Sequence, residues 1–218
     1  MGKKKRANAP NLSATEFEDF KHKRKCRQLF SKYDKGIRIS PTMMYSVTRE
    51  GIANKIAEYV ASKGFTYVVD GCGGAGGNSI AFARAGLEVA NVEIDENNLN
   101  DAMHNAEIYG VENSIYFAQE DILEFEPYYD EFHTPDQTCF FISPEWDGPK
   151  YREEDVFDPE QLNPPLSAIL QYARTQKFAM TIIYAPRSID LPVVEKLGCK
   201  ECHYMFQYGH CNGLCLLF

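Results

Sequence analysis

Tyr67-Val68-Val69-Asp70-Gly71-Cys72-Gly73-Gly74-Ala75-Gly76-Gly77-Asn78 is the stretch whose reading decides the fold. Three aromatic or β-branched residues in a row make a short buried strand. The glycines that follow let the backbone turn tightly and approach a ligand closely. Ile80 to Ala85 then begins a helix. Strand, glycine-rich turn and helix, with an acidic residue closing the next strand, is a nucleotide-binding layout.

Working outward toward the C-terminus, Leu87 to Val92 reads as a second strand ending in Glu93-Ile94-Asp95. A helix follows from Glu96 to Tyr109, stopped by Gly110. Ser114 to Ala118 is a third strand ending in Gln119-Glu120-Asp121, and Thr138 to Ile142 is a fourth. Leu166 to Gln176 is helical, Phe178 to Tyr184 is a fifth strand ended by Pro186, and residues 189–197 form a short helix. The tail from Glu201 to Phe218 reads as an antiparallel hairpin, with Asn212-Gly213 as its turn signal. Alternating strands and helices predict an α/β, doubly wound, Rossmann-like fold. Its seven-stranded sheet is mostly parallel, with a C-terminal antiparallel hairpin.

Toward the N-terminus the pattern is helical and basic. Residues 1–14 read as a disordered basic tail. The spacing of Phe17, Phe20 and Leu29 predicts a helix from Thr15 to Phe30, with Lys21, Lys23, Arg24, Lys25 and Arg27 on its basic face. Ser31 to Ser40 is turn-like around Asp34-Lys35-Gly36. Thr48 is placed to cap a further helix with a buried stripe of Ile52, Ile56, Ala57 and Val60, and Gly64 ends it. The expected organisation is a tail (1–14), a small helical extension (15–61) and the α/β body (62–218).

Composition narrows the class. With 44% hydrophobic and 25% charged residues, the chain is of ordinary globular type. No apolar run approaches the roughly 18 residues needed to span a bilayer, and no apolar stretch follows the basic N-terminus to make a signal peptide. An intracellular protein without membrane contact is expected. The net charge of −8 conceals an asymmetry: residues 1–49 hold 13 Lys and Arg against 4 Asp and Glu, so that arm is +9 and the remainder −17. An acidic body with a basic arm suits local binding of a phosphate chain better than general nucleic-acid binding. Lys3 to Arg6 read either as a solvated tail or as a nuclear-import signal.

Seven cysteines in such a chain argue for free thiols. Cys199, Cys202, Cys211 and Cys215 lie near His203 and His210, but alternating strand positions point to opposite faces, so no zinc site is expected.

Two further features carry chemistry. Asp70 at the strand tip argues against a pyrophosphate, although Gly71 to Gly76 literally fits the dinucleotide fingerprint. A carboxylate there suits the cationic, amino-bearing end of S-adenosylmethionine. Glu93 is spaced to accept both ribose hydroxyls, and Asp121 to accept from the adenine amine; helix capping is the alternative for Asp70 and Asp121. The second feature is Cys139 to Ile142, an apolar run broken by Ser143-Pro144-Glu145-Trp146-Asp147-Gly148-Pro149. A rigid polar loop is thereby expected at the carboxyl edge of the sheet. Trp146, the only tryptophan, is expected to offer an exposed stacking surface there.

This loop resembles the Asp/Asn/Ser-Pro-Pro-aromatic motif of amino-group methyltransferases. A wider ordered set is similar to the trimethylguanosine synthase family over roughly residues 20–218. It comprises Leu29 to Ile37, Tyr45-Ser46-Val47-Thr48, Val68-Val69-Asp70, Asn78, Asn105 to Gly110, Ser143-Pro144 with Trp146, Gly148-Pro149, and Pro186-Arg187. The resemblance implies a class I S-adenosylmethionine-dependent methyltransferase that modifies the exocyclic N2 amine of the 7-methylguanosine cap on small nuclear or nucleolar RNAs. It implies that Ser143, Pro144 and Trp146 serve the reaction, with Trp146 stacked on the cationic base. Lys21, Ser46, Trp146 and Arg187 would hold the cap. Phe30, Thr48, Asp70, Gly73, Gly76, Asn78, Glu93 and Asp121 would hold S-adenosylmethionine.

The family motif reads Ser-Pro-Pro-Trp-Gly-Gly-Pro, so Glu145 and Asp147 depart from it, and Glu93 stands where aspartate is usual. Glu145 either contacts the positively charged base edge and helps, or loosens the loop and slows transfer; the departures keep a catalytically weakened cap-binding homologue in view, beside an amine methyltransferase acting on another nucleobase or a protein. A monomer is expected, in the nucleus, with the cytoplasm as the alternative.

Overall fold

A computed structural model describes residues 14–146 and 155–218, with side chains from Lys21 onward. Lys3 to Arg6, and Asp147, Gly148 and Pro149 of the proline loop, lie outside the described residues. The helices are α1 (Ala14–Leu29), α2 (Met43–Ser46), α3 (Glu50–Ser62), α4 (Gly77–Arg84), α5 (Glu96–Tyr109), α6 (Leu166–Gln176) and α7 (Leu191–Lys196). The strands are β1 (Tyr67–Gly71), β2 (Glu88–Glu93), β3 (Ile115–Gln119), β4 (Thr138–Ile142), β5 (Met180–Ala185), β6 (Glu201–Gln207) and β7 (His210–Leu217).

One seven-stranded sheet runs in the order β3-β2-β1-β4-β5-β7-β6. The first five strands are mutually parallel, and β7 is antiparallel to both β5 and β6. β1 and β4 lie at its centre, and every residue of both is buried. Their alternation fills two cores. Val68, Cys139 and Phe141 pack on the α3–α4 side, whereas Val69, Phe140 and Ile142 pack against α6. This double burial explains why both segments are continuous apolar runs rather than alternating ones.

The order reverses between β1 and β4, which opens a crevice at the carboxyl ends of the strands. Register sets what meets there. Gly71 pairs with Val92 on one side and Ile142 on the other, so the glycine loop and Ser143-Pro144 leave the sheet side by side. The α5 start is capped by Asp95, whose carboxylate accepts from Asn97 N and Asn98 N, and Gly110 closes the helix in the left-handed region.

Two sequence expectations are corrected. The turn of the C-terminal hairpin is Tyr208-Gly209, both with positive φ (53° and 79°), as a tight two-residue turn requires. Asn212-Gly213 instead lies inside β7, at a bulge opposite Met205 and Phe206. Gly213 is needed because a Cβ there would come within 2.8 Å of the Ala185 carbonyl and the Tyr184 ring. Thr48 does not cap α3: the N-cap is Arg49, without a side-chain bond, and the Thr48 hydroxyl accepts from Asn78 Nδ2 at 3.2 Å. The tether joins the N-terminal segment to the start of α4.

Candidate active site

Two cavities lie at the carboxyl edge of the sheet. The first, of about 370 Å³, is walled by Cys72, Gly73, Gly74, Gly77 and Asn78 of the glycine loop and the start of α4, Glu93 at the end of β2, Glu120 and Asp121 after β3, and Ser143-Pro144-Glu145 after β4. Met43, Ser46, Val47 and Thr48 close it from the N-terminal side. The second, of about 980 Å³, is walled by Lys25 and Gln28 of α1, residues 41–42 and 44–49, Pro144-Glu145-Trp146, Tyr184, Arg187 and residues 210–212. Ser46, Val47, Thr48, Pro144 and Glu145 belong to both walls.

The glycine loop is shaped for close approach. A Cβ on Gly73 would lie 2.2 Å from Asn91 Nδ2, so only glycine fits without displacing that amide. Beneath the loop runs a buried polar chain. Asn91 Nδ2 donates to Ser79 Oγ at 2.8 Å, and Ser79 Oγ donates to Asp70. Asp70 is fully buried, its Oδ1 has no partner among the described residues, and burial pushes its carboxyl up to about 7. Glu93 accepts from Gly74 N at 2.8 Å and from Asp95 N at 2.9 Å, which fixes its carboxylate at the cavity wall while leaving lone pairs for a ligand. Asn78 Oδ1 is buried and without a partner among the described residues. A glycine cradle, an anchored carboxylate and an unpartnered amide oxygen fit a nucleoside-bearing cofactor. The Cys72 thiol, in the left-handed region at φ 59°, is pushed up by burial and by the Glu93, Asp70, Glu145 and Asp121 carboxylates around it. That convergence makes the first cavity favourable for a cation.

The second cavity has the opposite character, with Lys25, Arg49 and Arg187 on its wall. Lys25 Nζ also sits 3.9 Å from the Tyr45 ring centroid. Trp146 Nε1 donates to the Tyr184 carbonyl at 3.3 Å, and the two rings are tilted at 47° with centroids 5.4 Å apart. The tryptophan is thus half-buried, not simply exposed: the bond anchors one edge and leaves the indole on the cavity wall.

The structure brings together Ser46, Thr48, Gly73, Asn78, Glu93, Asp121, Ser143, Pro144, Trp146 and Arg187 on these walls. Four expected site residues stand elsewhere. Phe30 is buried in the core, 6.4 Å from Tyr109 between ring centroids and behind Gly77. Asp70 lies beneath the cradle. Gly76, at φ 85°, presses on Ala102 of α5. Lys21 is exposed on α1 outside the cavity lining, and the helix reaches the second cavity through Lys25, one turn later. Arg49, Tyr184 and residues 210–212 escape sequence reading because they carry no local motif and converge only through strand order. Cys199, Cys202 and Cys211 pack on one face of the hairpin and Cys215 on the other; all are free thiols.

Comparison with known proteins places this geometry. The chain superposes on a methyltransferase from Porphyromonas gingivalis, whose assignment is provisional, with a TM-score of 0.65 at 18% identity, over 96% of this chain and 52% of that one. It superposes on the magnesium protoporphyrin IX methyltransferase of Synechocystis, solved with S-adenosylmethionine bound, at a TM-score of 0.58 and 16% identity, over 97% and 98% of the two chains. The fold is therefore that of a class I methyltransferase.

A family profile described as RNA cap guanine-N2 methyltransferase matches residues 65–218. Trimethylguanosine synthase of Schizosaccharomyces pombe is 32% identical over 200 residues, spanning 87% of this chain and 81% of the relative. The Saccharomyces cerevisiae trimethylguanosine synthase is 30% identical over 176 residues, 79% of this chain and 56% of the relative. The chain belongs to the RNA cap guanine-N2 methyltransferase family, and its methyl donor is S-adenosylmethionine.

Proposed function

We propose that this chain methylates the exocyclic N2 amine of 7-methylguanosine caps on small RNAs, giving dimethylated and then trimethylated guanosine. One observation carries the reading: Ser143 to Trp146 forms the partition between an acid-lined cavity and a base-lined one. Glu93, Asp121 and Asn78 would hold S-adenosylmethionine in the first, against Gly73 and Gly74. The cofactor, when bound, supplies an electrophilic methyl group on a sulfonium.

The remaining work falls to this chain's side chains and loop. In the second cavity Trp146 stacks on the cationic base, a contact of roughly 2 kcal/mol when desolvated. Lys25, Arg49 and Arg187 neutralise the cap triphosphate. Ser143 lies beside the amine and the Pro144 carbonyl accepts one of its two N–H groups, which holds its lone pair in line, so orientation supplies the rate. Ser46, Val47 and Thr48 line both cavities, and the Thr48–Asn78 bond ties this segment to the wall of the first.

Nuclear residence, carried by Lys3 to Arg6, and a monomeric state are parts of the same proposal. The experiment is transfer from methyl-labelled S-adenosylmethionine to 7-methyl-GTP and, separately, to GTP. Transfer to 7-methyl-GTP alone, with product masses one and two methyl groups heavier, is expected. Equal transfer to both would remove the cap from the proposal. Light-scattering mass in solution tests the monomer, and imaging of the tagged chain with Lys3 to Arg6 neutralised tests the address.

A further inference from the structure

Among the described residues, Glu145 is the only carboxylate common to the two cavity walls. Its backbone is held on both sides by Asn163. The Glu145 N–H donates to the Asn163 carbonyl at 3.1 Å, and the Asn163 N–H donates to the Glu145 carbonyl at 3.1 Å. Proline could not make the first of these bonds. The side chain is exposed, and its carboxylate has no hydrogen bond or ion pair among the described residues. An ordered backbone thus presents an uncommitted negative group on the wall that Trp146 also lines.

That charge is out of place in a cavity built for phosphates. Lys25, Arg49 and Arg187 on the same wall attract a polyphosphate, and Glu145 repels one. Charge complementarity places the phosphates toward the cationic side chains and a cationic or donor-rich group toward Glu145. A guanine presents two parallel donors, N1–H and N2–H, on one edge, and a carboxylate accepts such a pair with its two oxygens. Methylation at N7 gives the purine a positive charge and makes N1–H a stronger donor, so the same carboxylate binds the methylated base more tightly. The field of Glu145 also reaches Cys72 in the first cavity, where it adds to burial and to Glu93 and Asp70 in raising the thiol.

We propose that Glu145 is a specificity-determining residue that reads the N1–H and N2–H edge of 7-methylguanine and selects the cationic base over unmethylated guanine. The proposal rests on the cap reading above. Of the two readings of glutamate at this position, a contact with the positively charged base edge or a loosened loop, it takes the first: the lost proline angle is replaced by the Asn163 bridge, and the added charge has a partner.

The test is calorimetric titration of the S-adenosylhomocysteine-loaded protein with 7-methyl-GTP, GTP and 7-methyl-ITP, which lacks the N2 amine. The wild-type chain is expected to prefer 7-methyl-GTP to both. Glu145→Gln keeps size and the backbone bridge but removes the charge and one acceptor. It is expected to weaken 7-methyl-GTP roughly tenfold and GTP about twofold, and to erase most of the preference over 7-methyl-ITP. Glu145→Asp should fall between the two. Wild-type preference with unchanged ratios in Glu145→Gln would overturn the role of Glu145 alone. Failure of the wild-type chain to bind 7-methyl-GTP would overturn the cap reading, and this role with it.

Discussion

The two cavities are built in opposite ways. The first is built around one local unit: the strand–loop–helix of residues 67–84 provides its floor and cradle, the tips of β2 and β3 add Glu93, Glu120 and Asp121, and segments 43–48, 143–145 and 163–165 close it. The second is assembled from segments spread from Lys25 to Asn212 that share no element. The first is negative and rigid, with a glycine backbone that tolerates no side chain at Gly73. The second is positive and lined by long, adaptable side chains. A pocket built on backbone is sensitive to shape, whereas a pocket built on side chains is sensitive to charge.

The largest expected effect probes the floor of the first cavity. Asp70 has a folded-state carboxyl raised to about 7 by burial. Below about pH 4 it is neutral in both folded and unfolded chains and has no pH-dependent effect. Between about pH 4 and 7 the unfolded chain ionises while the folded one keeps its proton, so stability falls as pH rises and levels off above 7. The swing approaches 4 kcal/mol. Urea unfolding of the wild-type chain and Asp70→Asn across pH 4–8 should show the wild type losing ground to the variant over that window. Parallel curves would mean that Asp70 is solvated.

Next in size is Gly73→Ala, whose Cβ would collide with all three terminal atoms of Asn91. About 3 kcal/mol of stability should be lost, with S-adenosylhomocysteine affinity falling in step. Gly74→Ala meets only the flexible Met43 Cε at 2.5 Å, but at φ 53° it carries backbone strain as well. A smaller loss than at Gly73 would show that the rigid Asn91 amide, not the strain, dominates.

Trp146→Ala should separate the cavities. Binding of 7-methyl-GTP is expected to weaken by about 2 kcal/mol, some thirtyfold, while S-adenosylhomocysteine binding stays within a factor of about two. Loss of both would show that the tryptophan supports the partition and not only the second cavity. The smallest effect belongs to Arg187→Ala, at about 1 kcal/mol in 7-methyl-GTP affinity. The defect should shrink in high salt and vanish for the 7-methylguanosine nucleoside; an equal loss with the nucleoside would place Arg187 on the base instead of the phosphates.

Legibility in the sequence follows the same division. Glu93, Gly73 and Asn78 could be found because a glycine turn after a buried strand has few uses, and a carboxylate one strand later is at a fixed distance. Lys21 could not be told from Lys25: helix residues one turn apart share a face, and only the docking of α1 shows which one reaches the cavity. Asp70 reads as a ligand contact because strand tips usually point outward, yet Ser79 captures it beneath the loop. Asn212-Gly213 carries the strongest turn composition in the tail, but packing against Tyr184 required its glycine in the strand and left the turn to Tyr208-Gly209.

By itself the sequence determined the strand and helix order, the glycine cradle, the polar segment Ser143 to Trp146 at the carboxyl edge of the sheet and the likeness to cap methyltransferases. These are set by spacing along one chain, where period and turn chemistry act over a few residues. The tertiary structure decided which cation lines the second cavity, what anchors Trp146, which carboxylate lies beneath the cradle and that Glu145 stands on both walls. Those facts depend on strand order and register, which are settled by burying two faces of one sheet at once and leave no mark on any short stretch of residues.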